Sequence, residues 1–184
     1  SSPPSSAPSA RPAAFAAFLA HADHIMGGTI YRWTDGKFTV AQTIEGMGGR
    51  AFDSAVIDGS LYLAYANLLN ESTIFRFNGK TFEPVQTLEG KGGRNMHFVK
   101  RDDTTYLIRI NFITGPKDAP KTEQQSVVYA LEDNRFVVAT TFPTFGGTDA
   151  VTFQRRGQTL LAVSNSLSKE VRFRTPSMIY RPSW

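Results

Sequence analysis

Short stretches of alternating apolar and polar residues, separated by turn signals, dominate this chain. The clearest example contains four such stretches, over residues 52–57, 61–66, 73–77 and 81–87. They are rich in aromatic and β-branched residues, which favour strands. The pairs Asp58-Gly59 and Asn78-Gly79 are typical of two-residue hairpin turns. The pattern therefore predicts four short antiparallel strands and no long helix.

The stretch Ala13 to Ala22 is the one place where composition and pattern disagree. Its many alanines favour a helix. However, Leu19 to Asp23 matches Leu63 to Asn67, which lies at the end of a predicted strand. We therefore expect a strand over residues 15–22.

The four-strand pattern recurs along the chain. Gly28 to Trp33 returns 44 residues later as Ser72 to Phe77, and Gln42 to Arg50 returns at the same offset as Gln86 to Arg94. A third copy is offset by 54, with the extra residues in a polar stretch near 115–121. A fourth copy begins near Ser177 and stops almost at once. The predicted repeats cover residues 15–46, 47–90, 91–144 and 145–184.

Repeats of four strands and about this length are the sequence signature of a β-propeller, in which each repeat forms one blade. The predicted fold class is therefore all-β, with about three and a half blades in this chain. Residues 1–14 stand apart because they are rich in proline and serine, so we expect a linker or stalk there.

Composition narrows the function classes. The 184-residue chain has no cysteine, which excludes disulfides and thiol chemistry. It has no apolar run long enough to cross a membrane, so no membrane insertion is expected. The net charge is +4 and the basic residues are spread along the sequence, which argues against nucleic acid as a partner.

Catalysis is the least supported class. No serine lies in a nucleophile-elbow motif, and none of the three histidines has a visible acidic residue to orient it. Asp or Asn recurs at predicted strand ends, where it usually bonds its own backbone in a turn. The alternative is a ring of oxygen ligands for Ca²⁺ along a central channel. These strand-end candidates are Asp23, Asn67, Asn111 and Asn165.

The recurring pieces resemble the epitempin (EAR, or EPTP) repeat. The pieces in the second copy are Leu63 to Asn67, Ser72 to Phe77, Gln86 to Leu88 and Gly92-Gly93, and Tyr31-Arg32-Trp33 matches the family core. The resemblance implies a seven-bladed propeller, of which this chain would be half, with a non-catalytic role in extracellular protein binding or adhesion. It also adds Asp149 to the Ca²⁺ candidates. The family's aspartate-tryptophan pair is replaced by Ala51-Phe52 and Asn95-Met96 in two copies.

The expected function is a non-enzymatic extracellular module for protein–protein interaction, with no required cofactor. The alternatives are a structural subunit of an extracellular assembly and a carbohydrate-binding lectin. Asn70-Glu71-Ser72 is a glycosylation sequon in a predicted loop, so Asn70 is expected to be exposed. An open half-ring would need a second half-propeller, either another copy or a neighbouring segment. The residues expected at that junction are Phe15, Phe18, Arg172, Phe173 and Tyr180.

Overall fold

A computed structural model describes residues 17–184, and this part of the chain contains strands and no helix. The strands, in chain order, are β1 (Phe18–Asp23), β2 (Gly27–Thr34), β3 (Lys37–Ile44), β4 (Gly49–Ile57), β5 (Ser60–Asn67), β6 (Ser72–Phe77), β7 (Phe82–Leu88), β8 (Gly93–Arg101), β9 (Thr104–Asn111), β10 (Glu123–Glu132), β11 (Arg135–Phe145), β12 (Gly147–Arg155), β13 (Gln158–Asn165) and β14 (Met178–Tyr180).

The strands form four antiparallel sheets. Sheet 1 is β1-β2-β3, sheet 2 is β4-β5-β6-β7, sheet 3 is β8-β9-β10-β11 and sheet 4 is β12-β13-β14. The all-β class and about three and a half propeller blades are therefore confirmed. The four strands predicted in the second copy are observed within three residues of their expected limits. The first strand begins at Phe18, inside the range expected for it. The linker predicted over residues 1–14 lies outside the described residues.

The two three-stranded sheets are incomplete at different ends. By the repeat register, β1 corresponds to β5, the second strand of sheet 2. Sheet 1 therefore lacks the first strand of the repeat within the described residues. In the same way β14 corresponds to β6, so sheet 4 lacks the fourth strand there.

The first strands of the repeats converge at the centre of the half-ring. β4 lies beside β8, and β8 lies beside β12; where the first strand of sheet 1 is lacking, the second strand, β1, lies beside β4. Between neighbouring sheets lie three apolar clusters. The cluster between sheets 2 and 3 includes Ile74 and Leu107, and the cluster between sheets 3 and 4 includes Ile108 and Leu161. The two faces of a sheet thus pack against different neighbours, which is how a propeller buries its repeats.

Burial along β5 follows from this two-sided packing. Leu63 packs in the cluster between sheets 1 and 2, whereas Ala64 packs in the cluster between sheets 2 and 3. Because successive side chains of a strand point to opposite faces, both faces of β5 are buried. Every residue from Tyr62 to Asn67 is consequently buried.

Two glutamine side chains connect sheet 1 to sheet 2 and sheet 2 to sheet 3. The Gln42 side chain donates to the Phe82 carbonyl at 2.8 Å and accepts from the Phe82 N–H at 2.9 Å. Gln86 makes the same pair of hydrogen bonds with Phe136, both at 2.8 Å. The repeated glutamine thus continues the backbone pairing across a blade boundary.

Candidate functional site

The inner face of the half-ring gathers polar residues from three different sheets. His97 on β8 lies between Asp53 on β4 and Thr152 on β12. Its Nε2 is 3.2 Å from the Thr152 hydroxyl, and its Nδ1 is 3.9 Å from Asp53 Oδ2. The three side chains form a line across the inner strands.

This line corrects the expectation that no histidine has an acidic neighbour. The distances around Asp53 are nevertheless those of a contact that joins two sheets. A separation of 3.9 Å is too long for a hydrogen bond, and Asp53 Oδ2 already accepts the Phe98 N–H at 2.6 Å. The Asp53 carboxylate therefore holds the backbone of the next sheet. No local sequence pattern indicates this contact, because the three residues belong to three different repeats.

A second polar contact crosses the inner strands where the family's aspartate was expected. Asn95 on β8 donates from Nδ2 to Asp149 Oδ1 on β12 at 2.5 Å. The same oxygen accepts the Ala150 N–H at 2.8 Å. Asp149 thus bonds to its own strand and to the strand of the preceding sheet.

The strand-end residues Asp23 and Asn67 bond their own turns, as favoured from the sequence. Asp23 Oδ1 accepts the N–H groups of Ile25 and Met26, each at 2.7 Å. These hydrogen bonds, with Met26 first, hold the pKa of Asp23 below its ordinary value. Asn67 Oδ1 accepts the N–H groups of Leu69 and Asn70 in the same arrangement.

The other two strand-end residues make different contacts. Asn111 donates to the Gln125 carbonyl at 2.7 Å, and its Oδ1 is buried without a partner. Asn165 Oδ1 accepts the Phe145 N–H at 2.9 Å, and Nδ2 donates to the Pro176 carbonyl. Within residues 17–184 there is no group of three His, Cys, Asp or Glu side chains that could hold a metal ion. Calcium binding by these residues and Asp149 stays a prediction.

An open strand edge and a cleft lie where sheet 1 lacks its first strand. β1 pairs with β2 on one side only, so its other edge has no strand partner among the described residues. A cleft of about 350 Å³ lies beside this edge. Its lining is mainly apolar and includes Phe18, Ala20, Phe52 and Leu61, with the carboxylate of Asp53 as its charged group. The sequence indicated an open array, and among the described residues sheet 1 is open at its inner edge.

The predicted junction residues do not lie together on one strand edge. The Phe18 ring packs internally, 5.1 Å from the Phe77 ring and 5.3 Å from the Phe82 ring, and also lines the cleft. Arg172 and Phe173 are exposed in the loop after β13, where Phe173 is 81% exposed. Tyr180 packs against Phe142 and donates its hydroxyl to the Pro143 carbonyl. Phe15 lies outside the described residues.

The two key residues of the sequon differ in exposure: Asn70, which would carry the glycan, is exposed, whereas Ser72 is buried. Asn70 is exposed, as its loop position predicted. Ser72 is fully buried, and its hydroxyl accepts the Asn67 N–H at 3.1 Å. Any test of glycosylation must therefore change Asn70, because a change at Ser72 would disturb the fold.

Searches of known structures find similarity to a glycoside hydrolase. The chain is 16% identical to the GH43_1 enzyme from Xanthomonas citri complexed with xylotriose, with a TM-score of 0.44 over 65% of this chain and 41% of that chain. The same enzyme complexed with xylose gives 17% identity and a TM-score of 0.43 over 62% and 39%. The chain thus spans about two-fifths of the length of these solved structures. No curated protein matches the sequence.

A protein-family comparison matches residues 37–78 to the EPTP domain. The match runs from the start of β3 through β4, β5 and β6, and so it crosses from sheet 1 into sheet 2. The matched segment therefore contains the last strand of sheet 1 and the first three strands of sheet 2. Residues 37–78 match the EPTP domain, so the resemblance to the epitempin family predicted from the sequence is confirmed over this segment.

Proposed function

We propose that this chain is a non-catalytic β-propeller module that binds a protein partner outside the cell. The EPTP repeat supports the propeller module. The observation that carries the choice of a protein partner is the inner edge of β1, which has no strand partner among residues 17–184 and lies beside an apolar cleft. In sheets 2, 3 and 4 the corresponding edge is covered by the first strand of the repeat, namely β4, β8 and β12.

The partner that fits this edge is an extended polypeptide strand. A strand added to a sheet edge gains backbone hydrogen bonds, and its alternate side chains enter pockets beside the edge. In sheet 2 the corresponding strand places Ala51, Ala55 and Ile57 against the next sheet. A partner strand with small or apolar residues at alternate positions would fill the cleft beside Phe52 in the same way.

The topology favours a neighbouring EPTP segment over a second copy as the missing half. Two copies would bring eight sheets, four from each chain, and four of these would be three-stranded. A segment that begins with a fourth strand, continues through three full blades and ends with a first strand also has fourteen strands. It would complete sheets 4 and 1 and close a ring of seven four-stranded blades. The free edge of β14 is on the outer side of its sheet, so β14 of a second copy is not the strand that covers β1.

The inner polar line supports a non-catalytic function. A histidine base is activated by a carboxylate that is free to accept a hydrogen bond from its ring. Nδ1 of His97 is 3.9 Å from Asp53, whose oxygen is engaged by a backbone N–H. A structural subunit of an assembly and a carbohydrate-binding lectin are the alternative functions.

Binding of a strand peptide to the open edge tests this proposal. The probe is a synthetic peptide with the sequence of Gly49–Ile57, because β4 covers the corresponding edge in sheet 2. We expect the peptide at high micromolar concentration to slow hydrogen exchange of the β1 amides in the 184-residue chain. A peptide of scrambled sequence should leave their exchange unchanged. The variant Ala20→Glu, which places a charge in the cleft, should weaken the effect at least tenfold.

The matched control is Val85→Glu, at an exposed position on β7 away from the cleft, which should bind the peptide like the unchanged chain. If the β1 amides were already protected in a monomeric chain without peptide, the open edge would be covered within the chain and the proposal would fail. A self-associated chain with protected β1 amides would favour the structural-subunit alternative. Binding of a neutral glycan by a chain that ignores the peptide would favour the lectin.

An extracellular setting predicts that Asn70 carries a glycan. When the chain is directed through a eukaryotic secretory pathway, we expect one N-linked glycan, since Asn70 is exposed in the loop after β5. Mass spectrometry before and after peptide N-glycosidase treatment measures the attached mass. Asn70→Gln should remove it while leaving secretion intact. A secreted, folded chain without any glycan at Asn70 would contradict the prediction.

A further inference from the structure

Basic side chains from two hairpin turns and from the segment after β14 line two adjoining clefts. The larger, of about 490 Å³, lies between the β8–β9 turn and the β12–β13 turn and is closed by Arg181 after β14. The smaller, of about 300 Å³, shares Gln158 and Arg181 with it. The cations that line the two clefts are Lys100, Arg101, Arg155, Arg156 and Arg181. These residues are far apart in the sequence, and the fold gathers them.

The equivalent hairpin turns of sheets 2, 3 and 4 differ in charge, so the positive charge of the clefts is not a feature of every repeat. The turn of sheet 2 reads Val56-Ile57-Asp58, the turn of sheet 3 reads Lys100-Arg101-Asp102, and the turn of sheet 4 reads Gln154-Arg155-Arg156. An apolar and acidic turn thus becomes a basic one over two successive repeats. Ile57 is a buried core residue, so the folding role of this position does not call for arginine.

Arg156 occupies a backbone conformation that suits other residues better. Its φ is +50°, close to the φ values of 48° and 52° that Asp58 and Asp102 have at the equivalent positions. Aspartate and asparagine tolerate this left-handed region better than longer side chains do. Apart from Val171, all other non-glycine residues with positive φ in residues 17–184 are Asp or Asn. A strained arginine at a turn otherwise formed with aspartate points to a role for its charge.

The positive charge of the clefts is poorly balanced by the protein. Asp102 is the one acidic residue in their lining, and its carboxylate is 4.0 Å from Arg101 and 92% exposed. Arg101 also donates to the main-chain oxygen of Trp184, which in the 184-residue chain belongs to the terminal carboxylate, so both nearby anionic groups contact the same arginine. Among residues 17–184, no Asp or Glu carboxylate lies within ion-pair distance of the other four cations. Gathering like charges without partners is unfavourable, so a bound anion would stabilise this region.

We propose that these two clefts bind a sulfated polysaccharide. Guanidinium groups bind tetrahedral oxyanions through paired N–H donors. Gln154, Gln158 and Thr159 add hydrogen-bonding groups suited to sugar hydroxyls. The lining contains no aromatic side chain, whereas single-stranded nucleic acids are usually held by aromatic stacking. This site does not depend on the open edge of β1, and so the two proposals can fail separately.

The decisive variant is Arg156→Asp, which restores the residue found in the equivalent turns and should fold at least as well. We expect a heparin hexasaccharide to bind the 184-residue chain, with an affinity that falls as salt is raised from 0.05 to 0.3 M, because bound counterions are released. Calorimetric titration should show at least tenfold weaker binding for Arg156→Asp. The same hexasaccharide with its sulfate groups removed should not bind measurably.

Lys80→Glu provides the matched control, because it also changes the net charge by two units at an exposed turn, between β6 and β7. It should change the affinity less than twofold. Equal weakening by Lys80→Glu and Arg156→Asp would overturn the proposal, since the attraction would then come from net charge alone. Tighter binding of a single-stranded DNA oligonucleotide than of the hexasaccharide, or no hexasaccharide binding at 0.15 M salt, would also overturn it.

Discussion

Replacing Gly49 with alanine is expected to lower the free energy of unfolding by about 3 kcal/mol, the upper part of the range for overpacking a filled site. Gly49 begins β4 directly beneath sheet 1. A Cβ at this position would lie 2.5 Å from the Gly27 carbonyl oxygen and 2.6 Å from the Asp23 carbonyl oxygen, and would also meet the Tyr65 hydroxyl. Two of these three atoms are backbone, so rotation of a side chain cannot relieve the clash.

Urea unfolding followed by fluorescence measures this loss. Gly59→Ala is the control, because its Cβ would meet nothing within 4 Å although Gly59 has a φ of +76°. That variant should lose about 1 kcal/mol, the cost of the left-handed conformation alone. If Gly49→Ala were no more destabilised than Gly59→Ala, the close approach of sheets 1 and 2 at this glycine would be wrong.

The glycine pairs show how far the sequence could predict a blade junction. Paired glycines between predicted strands favour tight turns with positive φ, and such pairs occur at Gly48-Gly49 and Gly92-Gly93. Gly48 and Gly92 do have positive φ, at 99° and 94°. Gly49 and Gly93 do not, and their lack of a side chain instead makes room for the preceding sheet. The positive φ of Gly48 and Gly92 was predictable from residue type. The lack of room for a side chain at Gly49 and Gly93 depends on the position of the preceding sheet, which the sequence pattern does not indicate.

The same distinction separates the predicted fold from the candidate sites. Strand positions and turns follow from the alternation of apolar and polar residues and from residue type. Both recur in every blade, so the strands and turns could be predicted from the repeat register. The line from Asp53 to Thr152 and the cleft around Arg156 join residues of different repeats. Their contacts depend on the angle between successive sheets. The sequence alone shows that arginine replaces the aspartate of the equivalent turns at position 156. The structure is needed to show that Lys100 and Arg181 lie beside it.

Arg109 is expected to be the most sensitive charged residue of the described chain, with Arg109→Ala lowering the free energy of unfolding by about 3 kcal/mol. Arg109 is only 4% exposed and lies on β9 between sheets 2 and 3. Its Nη1 donates to the carbonyls of Leu88 and Gly90, at 3.2 and 3.3 Å, and its guanidinium lies 5.9 Å from the centre of the Tyr129 ring. Alanine would leave both carbonyls without this donor and open a cavity.

The comparison with Arg109→Met separates the two parts of this loss. Burial lowers the pKa of Arg109, which means that the fold disfavours the charged form that is present at neutral pH. Methionine fills similar space without that penalty, although it too leaves the carbonyls of Leu88 and Gly90 without a donor. We therefore expect Arg109→Met to lose about 1 kcal/mol in urea unfolding, well short of the alanine variant. Equal losses for the two variants would assign the whole effect to the hydrogen bonds, and no loss for Arg109→Ala would contradict the buried position of this side chain.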